Sequence, residues 1–147
     1  MPGADSPPRV VLDASVAVRW VVDEVGSTEA ATLLELEVEW IAPRLVLAEA
    51  ASALRRKFAD GLLTADAAAQ CLDGLLQAVT DGIVRLAEDE RHIAQALLLA
   101  TSLDHKVPDC LYLALAERYG AAIATADVKL ARLAHSRGVE VLQVPHA

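Results

Sequence analysis

The segment RVVLDASV, residues 9–16, decides the fold class of this sequence. Val10, Val11 and Leu12 form a short apolar and β-branched run, which favours a buried strand, and the run ends in an acid, Asp13. From Ala14 to about residue 22 the pattern becomes that of a helix. A strand followed at once by a helix is the first half of a βαβ unit, so this segment predicts a parallel sheet.

The same alternation of strands and helices continues along the chain. We predict further strands at residues 40–42, 83–87, 121–124 and 139–144. We predict further helices at residues 27–37, 43–59, 64–80, 88–102, 108–119 and 127–136. The predicted fold is therefore α/β, with a mostly parallel central sheet of about five strands and helices on both faces. Such sheets bind ligands beyond the carboxyl ends of their strands.

Length and composition predict one domain in an aqueous compartment. The chain has 147 residues, of which 54% are apolar, but charges interrupt every apolar stretch before the roughly 18 residues that a membrane span needs. Residues 1–8 lack the features of a secretory signal and are predicted to be a disordered tail, with a single domain at residues 9–147. We expect a cytoplasmic protein that does not contact a membrane.

The net charge of −8 argues against broad electrostatic capture of nucleic acid, which basic surfaces normally provide. The formal charge can mislead, however, because carboxylates that cluster to bind a divalent cation add negative charge at the place where the cation neutralises it. Net charge therefore weakens a nuclease interpretation without excluding it.

Three acids occupy positions next to predicted strand ends or helix starts. Asp13 follows the first strand, Asp127 follows the fourth, and Asp109 begins a helix beside Pro108. Each of them alone is adequately explained as a helix cap or as an acid that complements a helix dipole. Their shared location, however, is the edge of the sheet where a site is expected.

Glu49 is the most informative single residue. It is the only charge in LVLAEAASAL, residues 45–54, and an acid in so apolar a helix is seldom buried without a partner. The alternative is that Glu49 reaches solvent on a narrow polar strip with Ser52 and Arg56.

Taken together, the four acids suggest carboxylates that converge on a cation. Oxygen-rich sites of this kind suit Mg²⁺ or Mn²⁺. Ser15 and Thr125 each lie two residues from one of the acids, so that their hydroxyls could bind the ion or orient a carboxylate. Ordinary cap or turn residues are the alternative for both.

The ordered set of motifs resembles the PIN domain, and within it the toxins of VapC type. The resemblance rests on VLDASV at residues 11–16, on Glu49, on DCLYLALA at residues 109–116 and on T-A-D-x-K-L at residues 125–130, and it extends from residue 9 to residue 144. It implies a three-layer α/β/α domain.

The resemblance also implies a function. Asp13, Glu49, Asp109 and Asp127 would be the catalytic residues and would hold one or two Mg²⁺ or Mn²⁺ ions. The activity would be that of an endoribonuclease that hydrolyses phosphodiester bonds in single-stranded regions of RNA. The chain would be the toxin of a toxin–antitoxin pair, with a cognate antitoxin as partner, and would form a homodimer.

Basic residues near these motifs are candidates for phosphate contacts. Arg19, Lys129 and Arg132 are the candidates, with solvated surface charge as the alternative for each. The basic cluster at residues 55–57 complements the end of its helix, and we assign it no role. Asp104 is a further acid close to Asp109 and receives no role either.

Two other functions fit parts of the pattern. One is a catalytically silent PIN-like scaffold that binds a partner through its leucine-striped helix, residues 72–79; intact acids at all four positions disfavour it. The other is a flavodoxin-like phosphate-handling domain, a receiver or a phosphatase, with Asp13, Thr125 and Lys129 at its site. A receiver needs further acids just before or beside Asp13, which the sequence lacks, and a phosphatase of this shape would need Asp at position 15, which is Ser.

Overall fold

The computed structural model describes residues 6–146. Most of the predicted tail, residues 1–5, lies outside the described range, as does residue 147. At the inner end of that tail Pro8 already accepts a hydrogen bond from the backbone N–H of Glu39, at 2.9 Å.

Strands and helices alternate much as the sequence predicts. The strands are β1 (Arg9–Leu12), β2 (Glu39–Pro43), β3 (Val84–Ala87), β4 (Ala122–Thr125) and β5 (Val141–Gln143). The helices are α1 (Ala14–Val21), α2 (Ser27–Leu33), α3 (Leu45–Ala59), α4 (Ala65–Thr80), α5 (Ile93–Leu103), α6 (Val107–Tyr119) and α7 (Val128–Ser136). A 3₁₀ turn at Asp89–Arg91 precedes α5.

The five strands form one sheet in the order β3-β2-β1-β4-β5, and every pair is parallel. The predicted α/β class and the number of strands are confirmed. The chain moves outward from β1 in one direction to β3 and then returns to the other side of β1 for β4, so the order of strands reverses between β1 and β4. Ligand sites in open parallel sheets lie at such a reversal, beyond the carboxyl ends of the strands.

The strand order also decides against one alternative. A flavodoxin-like domain has the order 2-1-3-4-5, whereas here β1 is central and β2 lies between it and β3. The interpretation as a flavodoxin-like receiver or phosphatase is therefore wrong.

Side chains that alternate along the strands build two apolar layers. Val10 and Leu12 face the layer that contains α1, α3 and α4, whereas Val11 faces the layer that contains α5, α6 and α7. The same division separates Trp40 and its layer from Ile41 on the neighbouring strand. Because helices cover both faces, the fold has the three α/β/α layers that the resemblance implies.

Two predicted helix starts are wrong, and one contact explains both. Pro43 ends β2 instead of opening a helix, because the backbone N–H groups of Arg44 and Leu45 donate to the carboxylate of Asp89, at 2.7 and 3.0 Å. Asp89 therefore caps α3 from 44 positions away along the chain. It does so from the 3₁₀ turn, which interrupts the helix predicted for residues 88–102.

Within the described residues, no helix has the length and apolarity to cross a membrane.

Candidate active site

Asp13 stands directly after β1 and is almost fully buried, with 7% of its surface exposed. Although it occupies the N-cap position of α1, its carboxylate makes no capping hydrogen bond, so the capping interpretation is wrong for this residue. Its Oδ2 instead accepts hydrogen bonds from the hydroxyls of Ser15 and Thr125, the latter at 2.7 Å.

The loop after β4 fixes the direction in which these hydroxyls donate. Ser15 Oγ accepts from the backbone N–H of Ala126 at 2.9 Å, and Thr125 Oγ1 accepts from that of Asp127 at 2.9 Å. A hydroxyl has only one proton, so each of the two directs it to Asp13. Ser15 and Thr125 thus orient a carboxylate, which is one of the two roles that the sequence left open.

Asp127 follows β4 and does cap a helix. Its Oδ1 accepts from the backbone N–H groups of Lys129 and Leu130, at 2.8 and 3.3 Å, at the start of α7. The capping interpretation is therefore right for Asp127. A cap uses a single carboxylate oxygen here, so Oδ2 stays available for another contact.

Glu49 of α3 is half-buried and points inward rather than along a polar strip. Its Oε1 accepts a hydrogen bond from the hydroxyl of Tyr112, at 2.6 Å. Tyr112 belongs to α6 and is completely buried. The sequence pattern did not indicate a role for Tyr112, although its position three residues after Asp109 places both on one face of α6.

Asp109 lies in the first turn of α6 without capping it. Its Oδ2 is 2.8 Å from Nε2 of His105, four residues earlier, just before the helix. The sequence pattern did not indicate a role for His105, although its spacing of four residues from Asp109 permits this contact. Capping is therefore wrong for Asp109, but its place in the first turn of α6 agrees with the other alternative, an acid that complements the helix dipole.

The four carboxylates line one cavity of about 340 Å³, here called the acidic pocket. Each uses a single oxygen for hydrogen bonds within residues 6–146: Oδ2 of Asp13, Oε1 of Glu49, Oδ2 of Asp109 and Oδ1 of Asp127. In the same range no fully buried side-chain oxygen lacks a partner, so the second oxygen of each acid is at least partly accessible to solvent. The pocket thus presents four free carboxylate oxygens on oriented side chains.

Burial and mutual repulsion shift the protonation of this group. Burial is the largest cause of the raised pKa of Asp13; the Ser15 and Thr125 hydroxyls lower that pKa, and the charges of Asp127 and Asp109 raise it. Burial likewise raises the pKa of Glu49, against the hydrogen bond from Tyr112, and the other three acids raise it further. The pKa of Tyr112 lies well above its ordinary value, first because the ring is buried and then because Asp13 and Glu49 are close.

These shifts predict how the stability of the metal-free protein depends on pH. A carboxyl whose pKa is raised by folding binds protons more tightly in the folded state, so its contribution to stability falls as pH rises. For Asp13 and Glu49 the fall begins above their ordinary pKa values of 3.8 and 4.5 and continues through the raised ones. We expect urea unfolding in EDTA to show a steeper decline with pH for the wild type than for Asp13→Asn/Glu49→Gln. Parallel profiles for the two proteins would contradict the assignment of the shifts to these residues.

The donor set fits a hard divalent cation, because every donor is an oxygen and four are carboxylate oxygens. Among residues 6–146, however, no group of three or more His, Cys, Asp or Glu side chains is arranged closely enough to hold an ion as it stands. The influence of all three other acids on Glu49 shows that they are neighbours. Since like charges repel, four carboxylates converge fully only around a cation. The pocket therefore brings the four acids to one cavity, but among residues 6–146 it does not by itself place three of them around one ion.

The three basic residues predicted to contact phosphate have different surroundings in the structure. Arg19 lines the acidic pocket, but its guanidinium donates to the carbonyls of Ser15, Val25 and His146 and pairs with Glu24. Lys129 is exposed beside Asp127. Arg132 is exposed and lines neither the acidic pocket nor the cleft that continues it.

Comparison with known proteins supports the motif resemblance. The sequence profile of the PIN domain family matches residues 10–136. No curated protein sequence matches significantly. PAE2754 from Pyrobaculum aerophilum has a similar structure, with a TM-score of 0.67 and 20% identity over 92% of this chain and 84% of that one.

Two toxin–antitoxin structures are similar as well. VapBC-5 from Mycobacterium tuberculosis, a member of the VapBC family, gives a TM-score of 0.56 and 22% identity over 94% of this chain and 100% of that one. VapBC2 from Rickettsia felis was solved with a DNA fragment from its promoter. It gives a TM-score of 0.58 and 10% identity over 92% of this chain and 98% of that one. At these identities the likeness concerns the fold. The profile match, by contrast, spans most of the sequence and includes all four acids, so the chain belongs to the PIN domain family, whose members are generally nucleases.

Proposed function

We propose that this protein is a Mg²⁺- or Mn²⁺-dependent endoribonuclease that hydrolyses phosphodiester bonds in single-stranded regions of RNA. The observation that carries the proposal is the arrangement of the acidic pocket: one oxygen of each carboxylate is held by the protein and the other is free. An acid that served only to stabilise the fold would have no reason to keep its second oxygen open beside three other acids.

In this proposal Asp13, Glu49 and Asp109 are the main ligands of one or two ions, and Asp127 completes the set. A bound Mg²⁺ or Mn²⁺ would supply an activated water nucleophile and neutralise charge at the phosphate. The protein groups behind the acids hold them in place. Ser15 and Thr125 orient Asp13, and Tyr112 orients Glu49.

His105 plays the corresponding part for Asp109, through the contact between Nε2 and the carboxylate. Such outer hydrogen bonds fix the direction of a ligand and are costly to lose. No side chain of the pocket acts as a nucleophile in this scheme, so attack by water is expected. The resemblance to the PIN domain implies that the product carries a 5′-phosphate.

We further propose that the protein acts as the toxin of a toxin–antitoxin pair in the cytoplasm, as a homodimer that a cognate antitoxin inhibits. Membership of the PIN family and the structural likeness to two VapBC proteins support this role. Of the three candidate phosphate contacts, the position of Lys129 beside Asp127 favours it over Arg19 and Arg132.

Calorimetric titration with Mn²⁺ tests the metal site directly. Glu49→Gln removes one charge. The hydroxyl of Tyr112 can still donate a hydrogen bond, to the amide oxygen of the new side chain. We expect the affinity for Mn²⁺ to fall by at least about 10-fold, since even outer-shell partners contribute 10–100-fold. Glu37→Gln, a change at an exposed acid outside the pocket, is the matched control and should bind Mn²⁺ like the wild type.

Incubation of the same proteins with a structured RNA separates the nuclease from the silent scaffold. If the protein is a nuclease, we expect it to cleave the single-stranded regions of the RNA. This cleavage should depend on Mg²⁺ or Mn²⁺, yield 5′-phosphate ends and be lost in Glu49→Gln. A wild type that binds no Mn²⁺ and leaves RNA intact would favour the scaffold.

A further inference from the structure

Three basic side chains from separate elements surround the acidic pocket. Arg56 of α3, Lys106 just before α6 and Lys129 of α7 line a cleft of about 800 Å³. Glu49, Asp109 and Asp127 belong both to this cleft and to the acidic pocket. The two cavities are therefore continuous, with carboxylates at the junction and cations around it.

Among residues 6–146, no acidic side chain pairs with Arg56, Lys106 or Lys129. Within residues 6–146, ion pairs involve the basic side chains of Arg9, Arg19, Lys57, Arg85, Arg91 and Arg137. Arg56, Lys106 and Lys129 form no ion pair in that range although acids are abundant, and all three are exposed. In the described part of a chain whose net charge is −8, these three cations without ion pairs thus lie beside three of the four candidate carboxylates.

We infer that Arg56, Lys106 and Lys129 form a phosphate-binding rim that holds the backbone of a single RNA strand across the acidic pocket. This inference rests on the proposed function and names the residues that bind its substrate. Lys and Arg bind phosphate oxygens without reading the base sequence, so the rim would set the affinity and register of the strand. It also weakens the objection from net charge, because the cleft holds three cations beside its acids.

The rim gives Arg56 and Lys106 a role that the sequence pattern did not indicate, whereas Lys129 was already a candidate phosphate contact. Arg56 belongs to the basic cluster at residues 55–57, which the pattern explains by the helix dipole alone. Its neighbour Lys57 is paired with Glu24, and Arg55 does not line the cleft. Arg19 is excluded from the rim because three backbone carbonyls and Glu24 occupy its guanidinium.

The salt dependence of RNA binding measures how many phosphates the rim neutralises. For single strands, log Kobs falls with log salt with a slope of about −0.7 per neutralised phosphate. We would measure binding of a fluorescent oligouridylate by anisotropy in the Asp13→Asn background, at several KCl concentrations and one fixed Mg²⁺ concentration. In Arg56→Gln/Lys106→Gln/Lys129→Gln the slope should become shallower by about 2, since three contacts are lost.

Arg44→Gln/Arg55→Gln/Arg118→Gln is the matched control. It removes the same charge from three exposed side chains outside the cleft, so its slope should stay that of the background protein. Equal changes in both triple variants, or none in the rim variant, would overturn the rim while cleavage by the wild type still upholds the nuclease. A wild type that neither binds nor cleaves RNA would overturn the proposed function itself. Circular dichroism of each variant verifies that it is folded.

Discussion

Asp13→Asn should reduce the rate of RNA cleavage by more than about 100-fold, because loss of even an outer-shell partner of a metal ligand costs 10–100-fold. The substitution removes the charge and changes the volume little. The amide oxygen of the new side chain can still accept the Ser15 and Thr125 hydroxyls that now converge on Oδ2. The amide nitrogen would then take the place of the free oxygen, which is the atom that the proposed chemistry requires.

The fold should survive this change. Burial, followed by the charges of Asp127 and Asp109, disfavours the ionised form of Asp13, which is why its pKa is raised. Asn has no charge to bury, so the variant should unfold in EDTA at a urea concentration no lower than that of the wild type. Asp73→Asn, at an exposed position on α4, is the control and should cleave RNA normally. Cleavage by Asp13→Asn at a rate near that of the wild type would remove Asp13 from the site.

The position of the acids was predictable because it follows from topology. Asp13 and Asp127 each come directly after a strand, and β1 and β4 lie side by side at the reversal of the sheet. Neighbouring parallel strands bring their carboxyl ends to one edge, whatever the loops do. Glu49 was predictable for another reason, since an acid in an apolar helix needs a partner. Local patterns sufficed for these three residues.

The contacts that hold the acids could not be predicted in the same way. Tyr112 meets Glu49 across 63 positions of the chain, and Asp89 caps α3 across 44. Nothing in the residues near Glu49 or Pro43 indicates these partners, because the packing of separate elements creates them. The availability of Arg56 and the engagement of Arg19 likewise depend on which acids and carbonyls the fold places nearby. Charge patterns in the sequence identify basic residues, but only the fold shows which of them are free.

Residues 144–146 pack against the α1–α2 loop, and this contact also depends on the packing of segments that are far apart in the sequence. Val144 is buried, and its N–H donates to the carbonyl of Thr125 at 2.9 Å. Two residues later the carbonyl of His146 accepts from Arg19 at 3.0 Å. Between them Pro145 passes over Gly26, so closely that a Cβ on Gly26 would lie 2.2 Å from its carbonyl oxygen. The segment therefore supports two residues of the site, Thr125 through its backbone and Ser15 through Arg19.

Gly26→Ala should consequently lower the free energy of unfolding by about 2–4 kcal/mol, the sum of the cost of a left-handed backbone and of an overpacked contact. Gly26 has a φ of 91° and the added methyl meets backbone, which cannot rotate away. Gly61→Ala is the matched control, since Gly61 has a φ of 77° and a methyl added there would meet nothing within 4 Å, and should cost only about 1 kcal/mol. Urea unfolding measures both values, and equal losses would show that backbone strain alone is responsible. A larger loss at Gly26, accompanied by slower RNA cleavage that Gly61→Ala does not show, would establish that the end of the chain helps to position Asp13 through Ser15 and Thr125.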